Sequence, residues 1–324
     1  MHSIGQLGHF LLVPLYYAIS AVLLGWHWLF SLVLPESGGM SWVLSIIGLT
    51  LVIRAALIPL FVKQINASRN MQLIQPKVKE LQKKYGHDRE RLAQETMKLY
   101  KESGTNPFAS CLPILIQMPI FLALFRLLDH HAAKGQGIAF LTKELAQSFG
   151  AAKIGSIPIT ATFVNSGGVL AVQLLAAILV VAMTATTFTT QRQLMAKNMP
   201  ADALSGPYAQ QQKLLLYVLP LVFAVGGIAF PIGVLCYWTT SNLWTMGQQF
   251  YVIRNNPAPG TAAAKAKAER DRLKAERHGH TAAAALEASA DGAAGTGSAA
   301  TDRRPAQRQQ PKKQSREQRK KPWH

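Results

Sequence analysis

The stretch SWVLSIIGLTLVIRAALIPLFV, residues 41–62, decides the fold class, because it is long and apolar enough to cross a lipid bilayer. About 20 apolar residues match a hydrocarbon layer of ~30 Å at ~1.5 Å per residue of helix. Arg54 interrupts this run, and a guanidinium in that layer costs about 2.5–3.5 kcal/mol on insertion scales. We therefore expect water or polar side chains around Arg54, with a side chain reaching the inner headgroups as the alternative.

Four further apolar runs are long enough to be spans: residues 108–128, 169–189, 214–230 and 231–253. The last two are joined in one stretch of about 40 residues, which is too long for a single crossing. Pro231 and Gly233 mark the predicted turn between them. The sequence therefore predicts an all-α membrane protein with a five-span helical bundle over residues 41–253.

Residues 1–40 form a separate N-terminal region. Its apolar part, residues 10–34, contains aromatic residues typical of the bilayer interface: Tyr16, Tyr17, Trp26, His27 and Trp28. We predict an interfacial helix at the outer surface, with an extra span as the alternative. Because no Lys or Arg precedes Phe10, this region lacks the charged start of a cleaved signal peptide.

Basic residues are distributed unequally between the two long loops. Residues 63–107 carry Lys63, Arg69, Lys77, Lys79, Lys83, Lys84, Arg89, Arg91, Lys98 and Lys101, whereas residues 129–168 carry Lys134, Lys143 and Lys153. Because Lys and Arg favour the cytoplasmic side, we expect the first loop to be cytoplasmic and the second external. With five spans, the N-terminus then lies outside and the C-terminus in the cytoplasm.

The cytoplasmic loop has its own helical pattern. A helical pattern with spacings of three and four residues occurs on both sides of Gly86-His87-Asp88, which breaks it. Its positions are Met71, Ile74, Val78, Leu81 and Tyr85 before the break, and Leu92, Thr96 and Leu99 after it. Residues 63–107 are therefore predicted to form a helical hairpin. It either packs only on itself or acts as a mobile paddle that meets incoming chains or lipid headgroups.

The net charge of +18 is concentrated toward the C-terminus. Residues 254–324 form a basic tail that we expect to be cytoplasmic and largely disordered, although residues 261–278 could form a charged helix. Such a tail suits ribosomal RNA or anionic lipid, while a role only in solubility and topology is the alternative.

Polar residues recur along the predicted spans. They include Gln117 in the second span, a stripe in the third (Gln173, Thr184, Thr187, Gln191), and a stripe in the fifth (Trp238, Ser241, Asn242, Thr245, and Gln248 or Gln249). A lone Thr in a span usually bonds its own helix backbone. Stripes on several helices together with Arg54 instead predict a shared hydrophilic cavity.

The sequence contains no pattern for chemical catalysis. No acid–base pair, nucleophile with its base, phosphate-binding loop or metal-ligand cluster is apparent, so we expect no enzyme activity, no cofactor and no metal site. The pair His130-His131 is interpreted as interfacial. Cys111 and Cys236 both lie in apolar runs and are interpreted as packing residues without a disulfide.

Three segments resemble the YidC family of membrane protein insertases, which has mitochondrial and chloroplast relatives. They are IRAALIPLFVKQINASRNMQLIQPKVKELQKKYG (residues 53–86), NPFASCLPILIQMPIFLALF (106–125) and YWTTSNLWTMGQQF (237–250), and the likeness runs from about Leu44 to Arg254. The resemblance implies five spans around a positively charged groove that opens to the cytoplasm and to lipid but is closed to the outside.

The resemblance also carries site residues. The family's groove arginine falls on Arg54, and its polar and aromatic groove positions fall on Gln191 and Trp238, with the register at Gln191 fixed to within a residue. Gln117, Asn242 and Gln248 complete the predicted substrate groove. The absence of a large external domain and of a lipobox cysteine resembles the short actinobacterial type.

The function implied is that of an insertase and chaperone in the bacterial cell membrane, which moves newly made proteins from the cytoplasm into the bilayer. Its expected partners are nascent membrane proteins, the Sec translocon, anionic lipids and, through the basic tail, the ribosome. The alternatives are a small-solute transporter and a non-catalytic accessory subunit of the Sec translocon. The transporter reading is weakened because no inverted repeat and no acidic residue occurs in the spans.

Overall fold

The computed structural model describes residues 2–106, 112–198 and 207–293, which are mostly helical. Within these ranges the α-helices are α1 (His2–Ser31), α2 (Gly39–Ala56), α3 (Ile58–Tyr85), α4 (Arg89–Glu102), α5 (Leu112–Phe125), α6 (Lys143–Ala151), α7 (Leu170–Asn198), α8 (Pro207–Gly227), α9 (Ile232–Asn255) and α10 (Ala262–Ala293). The antiparallel strands β1 (Lys153–Ile154) and β2 (Ile157–Pro158) pair Lys153 with Pro158 and Ile154 with Ile157. The predicted helical class is confirmed.

Three of these helices are long and apolar enough to cross a membrane. The qualifying segments are Leu12–Ser31, Gly39–Ala56 and Leu170–Lys197, while the apolar part of α8, Leu216–Gly227, is shorter. Polar residues along α9 lower its hydropathy, and the predicted span of residues 108–128 includes residues 108–111, which lie outside the described ranges. The count of five spans therefore stays a prediction.

The first predicted span ends earlier than residue 62. Helix α2 stops at Ala56, and its cap Leu57 donates its N–H to the Ile53 carbonyl oxygen at 3.1 Å. Pro59 follows in the first turn of α3, where its missing N–H is tolerated. Residues 58–62 therefore belong to α3, and this helix continues without a break into the predicted hairpin.

The hairpin turns at Gly86-His87-Asp88, where the sequence predicts the break in the helical pattern. Helix α3 ends at Tyr85, and the Asp88 carboxylate caps α4 by accepting a hydrogen bond from the Arg91 N–H at 3.0 Å. Ile74 and Val78, one turn apart on α3, are buried.

The predicted external loop is folded, which its sequence pattern did not indicate. A π-helical turn (Arg126–His131), α6 and the β1–β2 hairpin form a segment, residues 126–161, that we call the cap segment. Its buried side chains are Leu127, Leu128, Ala132, Leu141, Ala146, Phe149, Ala152 and Ile159. The cap segment also meets the α8–α9 turn, because Ile159 and Ala161 carbonyl oxygens accept the Gly233 and Ile232 N–H groups. Helix α9 begins at Ile232, so Gly233 lies in its first turn and not in the link between α8 and α9, where it was predicted.

Helix α1 packs on α2, α5 and the cap segment. The Phe140 N–H donates to Ser20 Oγ at 3.3 Å, and the Tyr17 ring meets the Phe140 ring at 5.2 Å between centroids. The imidazole of His27 stacks on the indole of Trp42 at the start of α2. Both predicted positions of α1, at the interface or across the bilayer, stay predictions.

The C-terminal region contains a longer helix than predicted. The chain divides into two units, residues 1–270 and 271–324. The charged helix predicted over residues 261–278 continues to Ala293 as α10, so the predicted disorder does not extend over this helix. The prediction for residues 294–324 lies outside the described residues.

Candidate functional site

Arg54 lies in the last turn of α2 and is directed at α9. Its side chain is buried, with the residue 9% exposed, and its Nε donates a hydrogen bond to Ser241 Oγ at 3.0 Å. Nη2 donates to the same oxygen. The guanidinium carbon also lies 5.8 Å from the centroid of the Phe61 ring on α3, a cation–π contact. The side chain thus joins α2, α3 and α9, and does not extend away from the bundle.

A second polar contact lies one turn away on the same face of α9. Gln117 Nε2 of α5 donates to the Tyr237 hydroxyl at 2.8 Å. Tyr237 precedes Ser241 by four residues, one turn of α9, so the two side chains lie on the same face of this helix. Gln117 Oε1 is buried and accepts no hydrogen bond from any described residue. Arg54 and Gln117 therefore meet in one network, connected by Tyr237 and Ser241.

Asn242 faces α7 instead of α2. Its Nδ2 donates to Thr187 Oγ1 at 3.0 Å, and lies 3.4 Å from the Met183 carbonyl oxygen. The Thr187 hydroxyl itself donates to the Met183 carbonyl oxygen within α7, as a Thr in a span usually does. Asn242 therefore connects α9 to α7, about 100° around α9 from Ser241.

Trp238 lies in an aromatic cluster. Its ring centroid is 5.2 Å from that of Phe121, 4.9 Å from that of Phe223 and 5.6 Å from that of Phe230. Adjacent residues of a helix point about 100° apart at 3.6 residues per turn, so Trp238 is turned away from the side of Tyr237 that meets Gln117. The structure places Trp238 beside the polar network and not within its hydrogen bonds.

The two remaining predicted groove residues lie farther along their helices. Gln248 Oε1 accepts a hydrogen bond from Trp244 Nε1 at 3.1 Å, a contact within α9. Gln191 is half-buried and follows Thr187 by one turn of α7. Neither residue is hydrogen-bonded to Arg54 in the part of the chain that the structure describes.

The charge of Arg54 has no acidic counterpart on the helices that pack around it, apart from Glu80 of α3, which lies 19 residues beyond Phe61. No Asp or Glu occurs in α2, α5, α7, α8 or α9. Over residues 2–106, 112–198 and 207–293, no group of three or more His, Cys, Asp or Glu side chains could hold a metal ion. The arrangement is suited to attract a negative group, since an opposite charge is strongly favoured in a low-dielectric environment.

Tyr237 is the network residue that sequence reasoning missed. A Tyr in an apolar helix is usually read as a core residue, and Tyr237 is indeed 3% exposed. The sequence places Ser241 in the polar stripe of the fifth predicted span but does not indicate its hydrogen-bond partner. The available signal was spacing: Tyr237, Ser241 and Thr245 recur every four residues, which places them on one face of α9.

Comparison with known proteins identifies relatives over most of the chain. Residues 33–259 match the family described as 60Kd inner membrane protein. A protein of Streptomyces avermitilis, named membrane protein insertase YidC, is 44% identical over 289 residues, covering 87% of this chain and 66% of that protein. A protein of the same name from Tropheryma whipplei strain Twist is 37% identical over 268 residues, covering 78% of this chain and 86% of that protein.

The chain thus spans slightly less than two-thirds of the Streptomyces protein and most of the Tropheryma protein. A crystal structure described as an active YidC insertase with its first transmembrane domain resolved is similar at 24% identity, with a TM-score of 0.45. That similarity covers 72% of this chain and 46% of the other.

Proposed function

We propose, since this chain belongs to the 60Kd inner membrane protein family of YidC insertases, that it moves newly made proteins from the cytoplasm into the lipid bilayer. The resemblance that the sequence segments indicated is thereby confirmed. The family and the apolar helices make it a bacterial membrane protein. Its relatives are named for insertion and not for a chemical reaction.

The observation that carries this proposal is the pairing of Arg54 with a neutral partner. A buried guanidinium that is neutralised by a carboxylate is typical of a structural ion pair. Here Ser241 Oγ accepts the hydrogen bonds, and no acidic residue occurs on α2 or α9. A positive charge held in this way remains able to attract a negative group on a substrate.

The mechanism follows from this charge. An apolar substrate helix enters the bilayer spontaneously, but its polar flanking tail must lose water on the way. A hydrophilic groove that reaches Arg54 from the cytoplasm shortens the distance that the tail must cross through hydrocarbon. The guanidinium attracts acidic groups on the tail. The substrate helix then moves into lipid, where hydrophobic transfer drives completion. This mechanism requires no nucleotide.

The groove in this proposal is lined by Arg54, Gln117, Gln191, Asn242 and Gln248, with Trp238 at its edge. The polar faces of α5, α7 and α9 and the hydrogen bonds between them support it. The bundle has five spans, residues 63–107 and the basic tail are cytoplasmic, and the N-terminus lies outside. Contacts of α1 with the cap segment at Tyr17 and Ser20 support its location along the outer surface.

The proposed partners are nascent membrane proteins, the Sec translocon, anionic lipids and the ribosome. Basic residues on α10 support the last two, because Lys and Arg near a membrane attract anionic headgroups and ribosomal RNA alike. If residues 261–324 dock ribosomes, their deletion abolishes salt-sensitive co-sedimentation with ribosomes. Unchanged co-sedimentation of the truncated protein would exclude ribosome binding by the tail.

The test of function uses liposomes that contain only this protein. Protease protection measures insertion of a substrate with one apolar helix and an acidic tail, and Arg54→Ala and Arg54→Glu are compared with the unaltered protein. We expect insertion to fall with Arg54→Ala and to fall further with Arg54→Glu, because the second change repels the tail. Solute flux without insertion would identify a transporter instead. Neither activity would identify an accessory subunit.

A further inference from the structure

Arg54 is held by a hydroxyl that can accept its hydrogen bonds without cancelling its charge. A guanidinium carries five N–H donors, of which Ser241 Oγ accepts one from Nε and one from Nη2. Two bonds to one atom restrict both the position and the tilt of the planar group. Arg54 and Ser241 come from α2 and α9, so the charge is fixed at the boundary between these helices.

The Ser241 hydroxyl is itself held from the neighbouring turn. Once both lone pairs of Ser241 Oγ accept from Arg54, its own proton is left to donate. Tyr237 precedes Ser241 by one turn on the same face of α9, and its hydroxyl is the acceptor that we assign to this proton. Gln117 of α5 bonds that tyrosine hydroxyl at 2.8 Å, so three helices contribute to holding the guanidinium.

Because these side chains are buried, the loss of a hydroxyl is costly. Ser241 and Tyr237 are each 3% exposed, so both side chains lie between the helices. A buried polar group without a partner is costly, and a hydrogen bond to a charged group is stronger than one between neutral groups. Removing the Ser241 hydroxyl therefore leaves the guanidinium to find other acceptors, which moves it away from its place beside α9.

We propose that Ser241 and Tyr237 are positioning residues that set the preference of the protein for substrates with acidic tails. They keep Arg54 in one place while leaving its positive charge uncompensated. This proposal rests on the proposed insertase function. Ser241 determines where the charge is presented, and Tyr237 determines how the Ser241 hydroxyl is oriented.

The experiment compares two substrates that share one apolar helix and differ in the tail, which is acidic in one and neutral in the other. The measured quantity is the ratio of their insertion rates into liposomes that contain the full chain. We expect Ser241→Ala to lower this acidic-to-neutral ratio about fivefold to tenfold, the size expected for loss of one hydrogen bond. Tyr237→Phe lowers it less, and Ser241→Thr, which keeps a hydroxyl, restores it.

Two further variants separate position from charge. Ser241→Asp supplies a carboxylate that pairs with Arg54, so the preference for acidic tails should vanish although the guanidinium stays in place. Thr240→Val removes a neighbouring hydroxyl that donates only to its own helix, at the Cys236 carbonyl oxygen, and should leave the ratio unchanged. Thr240→Val is therefore the matched control.

The outcomes distinguish this proposal from the function on which it rests. If Ser241→Ala keeps the ratio of the unaltered protein, or lowers both insertion rates equally, Ser241 has no positioning role. A Ser241→Asp variant that still prefers acidic tails would also overturn it. If the unaltered protein inserts neither substrate, the insertase function itself fails. Thermal unfolding of each variant in detergent identifies any that does not fold. If Ser241→Ala does not fold, the comparison of Ser241→Asp, which should lose the preference, with Ser241→Thr, which should keep it, decides the result.

Discussion

The imidazole ring of His27 lies stacked on the indole ring of Trp42, with 3.6 Å between their centroids and 14° between their planes. The same indole meets the Phe149 ring edge-on at 5.3 Å and places Nε1 3.4 Å from Ser148 Oγ. One fully buried side chain at the start of α2 therefore joins α1 to the cap segment. The end of α2 away from Arg54 is fixed by these contacts.

Trp42→Ala should destabilise the protein strongly. The indole is fully buried between α1 and α6, and replacing a buried Trp by Ala typically costs about 3–5 kcal/mol because a cavity remains. Unfolding in detergent, followed by far-UV circular dichroism, measures the change. The matched control is Trp28→Ala, since Trp28 is 66% exposed and should change stability little. Equal effects of the two substitutions would contradict the packing described.

Gly39→Ala should separate α2 from the β1–β2 hairpin. A Cβ at Gly39 would lie 2.5 Å from the backbone carbonyl carbon of Lys153, and backbone atoms cannot rotate aside. We expect a loss of about 1–3 kcal/mol in the free energy of unfolding, as for other overpacked sites. Gly25→Ala is the control, because a Cβ there meets no atom within 4 Å and helix propensity favours Ala. A neutral Gly39→Ala would mean that β1 does not pack on α2.

The bond between Asn242 and Thr187 should be measurable by a double-mutant cycle. Asn242→Ala and Thr187→Val each remove one partner, and the cycle isolates their interaction. We expect a coupling of about 0.5–1.5 kcal/mol, the range found for hydrogen bonds between membrane helices. The pair Asn242→Ala with Thr190→Val serves as the control, because the Thr190 hydroxyl donates to its own helix at Thr186. A coupling energy of zero in the first cycle would show that the hydrogen bond between Asn242 and Thr187 does not stabilise the contact of α7 with α9.

Protonation of His131 in mild acid should lower the stability of the protein. This residue lies outside the predicted span of residues 108–128. Burial lowers the pKa of His131 below its ordinary value of 6.5, and the nearby charges of His130, Lys134 and Arg126 lower it further. The folded state therefore binds the proton less tightly than the unfolded state. The neutral imidazole therefore contributes to the free energy of unfolding. This contribution is fully present above pH 6.5 and is lost as the pH falls below 6.5.

The measurement is the unfolding temperature in detergent at about pH 7.5 and about pH 5.5, on either side of the unfolded-state pKa of histidine. The unaltered protein should lose more thermal stability between these values than His131→Gln, which has no titrating imidazole at this position. Equal losses in the two proteins would show that His131 does not contribute.

Much of the helical organisation could be predicted from composition and periodicity. The break at Gly86-His87-Asp88 follows from local signals, since Gly and an N-capping Asp end and begin helices in many contexts. Arg54 could be singled out because a guanidinium is costly in an apolar span. Both predictions depend on residues close together in the sequence.

The cap segment could not be predicted in the same way. Its strands have two residues each and its helix α6 has nine, so their own sequence patterns are weak. They are fixed by distant residues, such as Gly39 of α2 beside Lys153 and Gly233 of α9 bonded to Ile159. The position of Trp238 among Phe121, Phe223 and Phe230 likewise results from contacts between helices, which no single segment encodes.

The proposed groove admits water to Arg54 from the cytoplasmic side, and thiol labelling beside Ser241 tests this most directly. In a chain with Cys111→Ala and Cys236→Ala, Thr245→Cys places a thiol one turn from Ser241, and Ile178→Cys places one on the exposed apolar face of α7. We predict that a membrane-impermeant thiol reagent modifies Thr245→Cys from the cytoplasmic face only, and modifies Ile178→Cys from neither face. If Thr245→Cys is unmodified from both faces but reacts after denaturation, no hydrated groove reaches Arg54.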